Sequence, residues 1–290
     1  MGIFLFFLLG GCISVLAGFF GVGGGFILTP MLMLMGFSPL EAIATSLLFT
    51  IGTSLSSIIA HIRMKSILWK EGMILGISGM AATQIAKPFV FFLESKGWDE
   101  LAIPIFYIFL LAYFALKMLK QGKRNQAKVK VPPASTSIIK MILIGLFAGF
   151  ISTTLGVGGG FIIVPLTITF LGIAPKEAVS SSMFAVLLIV VWGFMSYAFT
   201  ISIDYKIGFV LVAGGLIGSQ IGVRLIKYYE NREISLLLGA LYLATLVSVV
   251  MKLVDLSYIG LILLAVFAGI FFIRSLIKVR VKKRLGAENK

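Results

Sequence analysis

The chain has 290 residues, 59% of them hydrophobic and 12% charged, with a net charge of +14 and a mean hydropathy of +1.10. A soluble domain is about 45–50% apolar and about 25% charged, so a water-soluble globular fold is excluded. Nucleic-acid binding is excluded too. Lys117, Lys120, Lys123, Arg124, Lys128, Lys130 and Lys140 crowd one loop and Arg274, Lys278, Arg280, Lys282, Lys283 and Arg284 crowd the tail, a distribution typical of loops facing cytoplasm and anionic lipid headgroups.

Apolar runs near membrane-spanning length recur along the chain and predict an all-α polytopic membrane protein of about 8–9 transmembrane helices. The first 20 residues carry no charge and lack a basic leader, so they read as a retained helix. Helices are predicted at about 2–20, 40–62, 72–94, 101–119, 138–155, 174–200, 207–228, 234–253 and 257–274, with short apolar pieces at 26–36 and 161–171. The stretch QGKRNQAKVKVPPASTS at 121–137 is polar and basic and ends in Pro-Pro, the composition of a cytoplasmic linker. Four regions result: a first repeat (1–120), the linker (121–137), a second repeat (138–254), and an extra helix with a basic tail (255–290). Cys12, the single cysteine, lies in an apolar run, so disulfides play no part in the monomer.

The two halves match. A shift of 135 places Gly10 on Gly145, GVGGGFI at 21–27 on 156–162, and Pro30 on Pro165. After a one-residue insertion the shift is 136, placing Gly36 on Gly172, Pro39 on Pro175, Glu41-Ala42 on Glu177-Ala178, Ser46 on Ser182, and Gln84 on Gln220. Duplicated halves of this kind are a common transporter architecture. Basic loops at 62–71 and 117–140 against the acidic ESKGWDE at 94–100 predict a cytoplasmic amino terminus and linker. Four crossings per half give parallel repeats and leave the basic tail outside. Either a glycine-run element is re-entrant or the tail is an exception.

GVGGG does not match the dinucleotide fingerprint, which needs glycine where Phe26 stands, nor a phosphate loop, which needs Gly-Lys-Ser/Thr. As a break in a membrane helix it makes chemical sense. A half-helix begins near Phe26, Pro30 falls in its first turn, and unpaired amides at a positive dipole end face inward beside Gly23, Gly24 and Gly25. Gly158, Gly159 and Gly160 repeat the device, so two positive ends converge on one anion. The competing reading is close helix packing, which is preferred for Gly214, Gly218 and Gly222.

Thr45, Ser46, Ser181 and Ser182 either complete an anion shell or bond back to carbonyls one turn earlier. Gln84 and Gln220, amides repeated within apolar spans, either donate to an oxyanion or bond between helices. Lys87 either serves the site or snorkels to the interface. Glu41 is assigned to a capping box, Ser38-Pro39-Leu40-Glu41, and Glu177 to its partial copy. His61, the only histidine, ends a helix beside Arg63 and is assigned to the interface. So few parts allow no metal cluster, catalytic triad or cofactor site, and an enzyme is not expected.

At G-V-G-G-G-F-[IL]-x-x-P, followed by GFSPLEAIATS and GIAPKEAVSSS, the chain resembles the sulfite exporter TauE/SafE family of membrane transporters over roughly residues 5–86 and 140–222. The resemblance implies transport of a small anion such as sulfite, thiosulfate or an organosulfonate. By likeness it places the site at Gly23–Gly25, Ser46, Gln84, Gly158–Gly160, Ser182 and Gln220. The expected mechanism is a secondary carrier in a prokaryotic plasma membrane whose halves rock about a midplane site. An inside-negative potential drives anions out by about 2.3 kcal/mol per charge per 100 mV, so export needs no coupled ion. The alternative is an anion channel or a non-transporting membrane subunit. Its expected partners are the anion and membrane lipid; the oligomeric state is left open.

Overall fold

The computed structural model describes residues 2–123, 137–201 and 203–288. Most of the predicted linker (124–136) and the last two residues of the tail lie outside the described residues. Among the described residues nine helices are long and apolar enough to cross a membrane. The chain is an all-α polytopic membrane protein.

The first half contains α1 (Ile3–Phe20), α2 (Gly25–Leu34), α3 (Pro39–Arg63), α4 (Trp69–Ser95) and α5 (Asp99–Lys123). The second contains α6 (Ile138–Leu155), α7 (Gly160–Leu166), α8 (Pro175–Ala198), α9 (Tyr205–Leu225) and α10 (Asn231–Leu253), and α11 (Ser257–Glu288) comes last. Local chemistry sets the boundaries. Both α1 and α6 stop on a glycine in the left-handed region, Gly21 at φ 66° and Gly156 at φ 69°, where a β-carbon is strained. The capping box at α3 is formed: Ser38 Oγ accepts from the Glu41 amide at 3.4 Å, and Glu41 Oε2 accepts from the Ser38 amide at 3.2 Å. Asp204, which the sequence pattern does not single out, caps α9 by accepting from the amides of Lys206 and Ile207 at 3.0 and 3.2 Å.

The one-residue insertion in the second half has a visible outcome. Beyond α7, Thr167–Leu171 form a π-helical turn that ends on Gly172 at φ 68°, whereas α2 runs on regularly to Leu34. A wider turn absorbs one extra residue without displacing α8.

Close backbone approaches fix the direction of each helix. Gly10 meets Leu211, Gly18 meets Ser219, and Gly222 meets Val15, so α1 and α9 are parallel. Gly208 meets Leu48, Gly52 meets Val212, and Ser56 Oγ donates to the Leu216 carbonyl at 2.7 Å, so α3 runs with them. On the other side Gly145 meets Leu75, Gly149 meets Gly79, Gly72 meets Ser181 and Gly76 meets Ala185, so α4, α6 and α8 run together. The two groups oppose each other. Leu47 lies near Gly193 while Ser54 Oγ lies 3.9 Å from Met183 Sδ, an antiparallel register. The same logic makes α5 antiparallel to α10, through Gly122 with Leu236 and Gly239 with Leu119. It also makes α10 antiparallel to α11, through Ser248 with Gly260 and Glu233 with Arg274.

Helix direction sets the topology. Because α1 and α3 point the same way, the chain between them must double back, and α2 does so. At about 1.5 Å per residue its ten residues reach only half of a hydrocarbon core about 30 Å thick. The α1–α2 and α6–α7 pairs are therefore re-entrant hairpins, entering from opposite ends. The second half repeats the order of the first with every direction reversed. Of the alternatives the sequence leaves open, the helix directions favour inverted repeats with re-entrant glycine-run elements over parallel repeats with four crossings per half.

The halves also exchange partners. α1 packs chiefly on α9 rather than α4, and α6 on α4 rather than α9. Small residues make these seams. A β-carbon at Gly214, Gly218 or Gly222 would overlap the backbone of Phe7, Gly11 or Val15, so the packing reading holds there.

Candidate functional site

The two glycine runs meet each other inside the bundle. A β-carbon on Gly25 would overlap the carbonyl oxygen of Gly156, and one on Gly160 would overlap that of Gly21. Only bare backbone lets the hairpins cross this closely. Phe26 and Phe161, one motif position later in each half, stack with centroids 5.5 Å apart and planes 13° from parallel. Every residue from Gly21 to Pro30 and from Gly156 to Pro165 is buried.

Hydroxyls stitch the crossing together across the halves. Thr29 Oγ1 donates to the Gly156 carbonyl at 3.1 Å, and Ser182 Oγ donates to the Gly21 carbonyl at 2.8 Å. The first amide of α2, on Gly25, donates to Thr50 Oγ1 at 2.8 Å, while that hydroxyl donates to the Ser46 carbonyl at 2.7 Å. One orphan donor of the half-helix is thereby satisfied by protein.

Pro30 and Pro165 lie in the second turn of their helices, one turn later than predicted, where each lacks the N–H that a helix needs. For Pro165 the freed acceptor is the Phe161 carbonyl, and Tyr242 supplies it with a phenol O–H at 2.7 Å. Tyr107 donates to the Leu155 carbonyl at 2.8 Å. Both tyrosines are fully buried and flank the second glycine run.

Several buried polar side chains have no hydrogen-bond partner among the described residues: Ser46 Oγ beside the crossing, and Ser152, Thr153 and Thr154 at the end of α6. The first half has Ala17, Gly18 and Phe19 where the last three stand. Along α3 the buried residues Ser46, Thr50, Thr53, Ser54, Ser57 and His61 recur at three- and four-residue intervals, which puts them on one face. The corresponding face of α8 reads Ser182, Val186, Ile189, Val190, Gly193 and Tyr197. Polarity is thus concentrated on one of two equivalent helices.

The structure brings together some of the predicted site and disperses the rest. Gly23, Gly24, Gly25, Gly158, Gly160, Ser46 and Ser182 gather at the crossing. Gly159 turns toward Ala148 and Ser152 of α6 at φ 76°. Thr45 is buried on α3. Ser181 sits elsewhere: its Oγ accepts from the Leu68 amide at 2.9 Å and anchors the loop between α3 and α4. Gln84 is exposed, with its amide on neighbouring Thr83 at 3.3 Å, and Gln220 is half-exposed on α9, so neither is the deeply buried donor predicted. Lys87 Nζ donates to Thr200 Oγ1, at 2.9 Å, beyond the far end of α8. His61 is corrected from the interface to the interior, with 1% of its surface exposed.

Thr29, Thr50, Tyr107 and Tyr242 are site residues that the sequence pattern alone did not mark. Thr50 stands one helical turn beyond Ser46, and Tyr107 and Tyr242 obey the same 135-residue shift as the glycine runs; those were the available signals. An apolar cavity of about 330 Å³, lined by residues such as Leu8, Cys12, Ile27, Met31, Leu264 and Phe272, offers no hydroxyl, amide or charge to an anion.

Comparison with known proteins gives the family. The family model described as sulfite exporter TauE/SafE matches residues 6–251. A probable membrane transporter protein of Haemophilus influenzae is 33% identical over 67% of this chain and 73% of its own length. One from Methanocaldococcus jannaschii is 27% identical over 82% of this chain and 91% of its own. The probable membrane transporter protein YunE of Bacillus subtilis is 25% identical over 75% and 86%, respectively. No solved structure gives a significant match. With the family model extending across both hairpins, the chain is an integral membrane transporter that belongs to the sulfite exporter TauE/SafE family.

Proposed function

We propose that this transporter exports a small sulfur oxyanion, such as sulfite, thiosulfate or an organosulfonate, by alternating access at the crossing of its two hairpins. The observation that carries the reading is the meeting of two oppositely directed half-helix amino ends at glycine backbone, framed by hydroxyls of Ser46, Thr50 and Ser182. Amide dipoles and hydroxyls stabilise a negative charge without a fixed cation, and discontinuous helices serve this purpose in several transporter folds. The buried crossing corresponds to the closed state of the cycle. Because the halves exchange partners, the bodies that move are α1–α3–α9 and α4–α6–α8 rather than one repeat against the other.

Charge supports an orientation. Helix directions bring the loop after α3 (Arg63, Lys65, Lys70), the loop after α9 (Lys227, Arg232) and the end of α11 to one end, and Glu94, Asp99, Asp204 and Asp255 to the other. The basic end is then cytoplasmic and the tail obeys the positive-inside rule. The amino terminus lies outside, the reverse of the sequence expectation, which takes each hairpin as one crossing.

The test is efflux from proteoliposomes loaded with sulfite under an imposed inside-negative potential, with thiosulfate, sulfoacetate and sulfate as comparators. Saturable efflux that accelerates with potential supports the proposal. Efflux indifferent to potential removes the uniport mechanism, and unitary currents across a planar bilayer replace the carrier by a channel.

A further inference from the structure

We propose that Ser57 and His61, toward the carboxyl end of α3, form a second station at which two hydrogen-bond donors hold the oxyanion between the glycine crossing and the basic end of the protein. The inference rests on the anion-transport reading above. His61 is 1% exposed and Ser57 is fully buried, yet neither His61 Nε2 nor Ser57 Oγ meets a hydrogen-bond partner among the described residues. They stand four residues apart on one helix face, adjacent but not bonded to each other. Buried polar groups are almost always paired, so two neighbouring ones without partners mark a place where something else binds.

The chemistry of the pair selects the ligand. His61 Nδ1 lies 3.2 Å from Ser66 Oγ. With that hydroxyl donating to Nδ1, the neutral ring carries its proton on Nε2. Nε2–H and Ser57 O–H are then two unpaired donors one helical turn apart on α3. A metal cation finds no ligand set: among the described residues no group of three or more His, Cys, Asp or Glu side chains could hold one. An oxyanion, rich in acceptors, satisfies both donors at once. Ser66 is itself fixed, since its carbonyl accepts from Ser180 Oγ on α8.

Position agrees with chemistry. Ser57 and His61 continue the buried polar stripe that leaves the crossing at Thr50 and passes Thr53 and Ser54. Beyond His61 stand the exposed cations Arg63 and Lys65, which concentrate anions at that mouth. The inverted counterparts are Gly193 and Tyr197, and Tyr197 donates to the Thr153 carbonyl at 2.9 Å. The inverted positions therefore carry no counterpart of the Ser57–His61 pair.

Full-length wild type, Ser57→Ala, His61→Phe and His61→Gln, each checked for monodispersity, are compared in sulfite efflux and in thermal stabilisation by added sulfite. Loss of one hydrogen bond to an ion is expected to raise half-saturation about tenfold or more in Ser57→Ala and His61→Phe, with maximal rate nearly unchanged. His61→Gln, which keeps an N–H donor, is expected to recover most of the affinity. If wild type transports and the variants match its half-saturation, the station is overturned while the transport reading stands. Failure of glutamine to rescue a folded His61→Phe defect also overturns it, in favour of a packing role. If sulfite, thiosulfate and sulfoacetate neither move through nor stabilise wild type, both proposals fall together. Should His61→Phe not fold, the affinity of Ser57→Ala decides alone.

Discussion

The first hairpin and the second share a motif and a backbone path, yet they are held differently. In the first, α2 is ten regular residues and its leading amide is bonded to Thr50. In the second, α7 gives way after seven residues to a π turn, Val186 stands where a threonine would hold the Gly160 amide, and Tyr242 repairs the carbonyl that Pro165 frees. The carbonyl ending each long helix is capped by a hydroxyl from the opposite half, but from non-equivalent positions, Thr29 in one case and Ser182 in the other. Inverted repeats thus preserve the crossing while letting each side solve its hydrogen bonding separately.

The largest test of the comparison attacks what the hairpins have in common. Gly25→Ala and Gly160→Ala each place a β-carbon into a backbone carbonyl of the other hairpin. Each is expected to cost about 3 kcal/mol or more and to abolish a monodisperse peak in detergent. Gly97→Ala, at φ 68° with open space around it, should cost about 1 kcal/mol. Equal behaviour of all three breaks the crossing. Gly24→Ala belongs with the severe pair, because its β-carbon would enter the buried ring of Phe49, so it cannot report anion affinity alone.

Next come the changes that separate the hairpins. Thr50→Val leaves the Gly25 amide unpaired at the cost of about 1–3 kcal/mol, whereas Val186→Thr in the second hairpin should lose less than about 1 kcal/mol. Tyr242→Phe strands the Phe161 carbonyl and should destabilise by about 1–2 kcal/mol. The smallest contrast is Ser182→Ala, about 1 kcal/mol for the lost cap on Gly21, against Ser46→Ala, near zero because that hydroxyl bonds to none of the described residues. Thermal unfolding of purified variants reads all of these. Identical shifts at the paired positions would show that the asymmetry has no energetic content.

Much of this arrangement was legible in the residues. Hydropathy located the nine long helices, and the repeated GVGGG marked the breaks. Direction was not legible from hydropathy, because an apolar segment scores alike whether it crosses or turns back. The signal lay in length: a ten-residue helix reaches only half the hydrocarbon core. Gln84 and Gln220 misled because repetition marks equivalent environments, and here the shared environment is an outward flank. His61 misled for the opposite reason. Its neighbour Arg63 suggested an interface, while its spacing from Ser46, Thr50 and Ser57 along one face pointed inward.

The exchange of partners between the halves bears on how the molecule is made. α1 finds its main packing surface on α9, about two hundred residues further along the chain. During synthesis the first hairpin must therefore wait in the bilayer, its short arm and glycine backbone without their final neighbours. Assembly closes only when α9 arrives, so truncations before it should yield a chain that inserts but stays open to degradation.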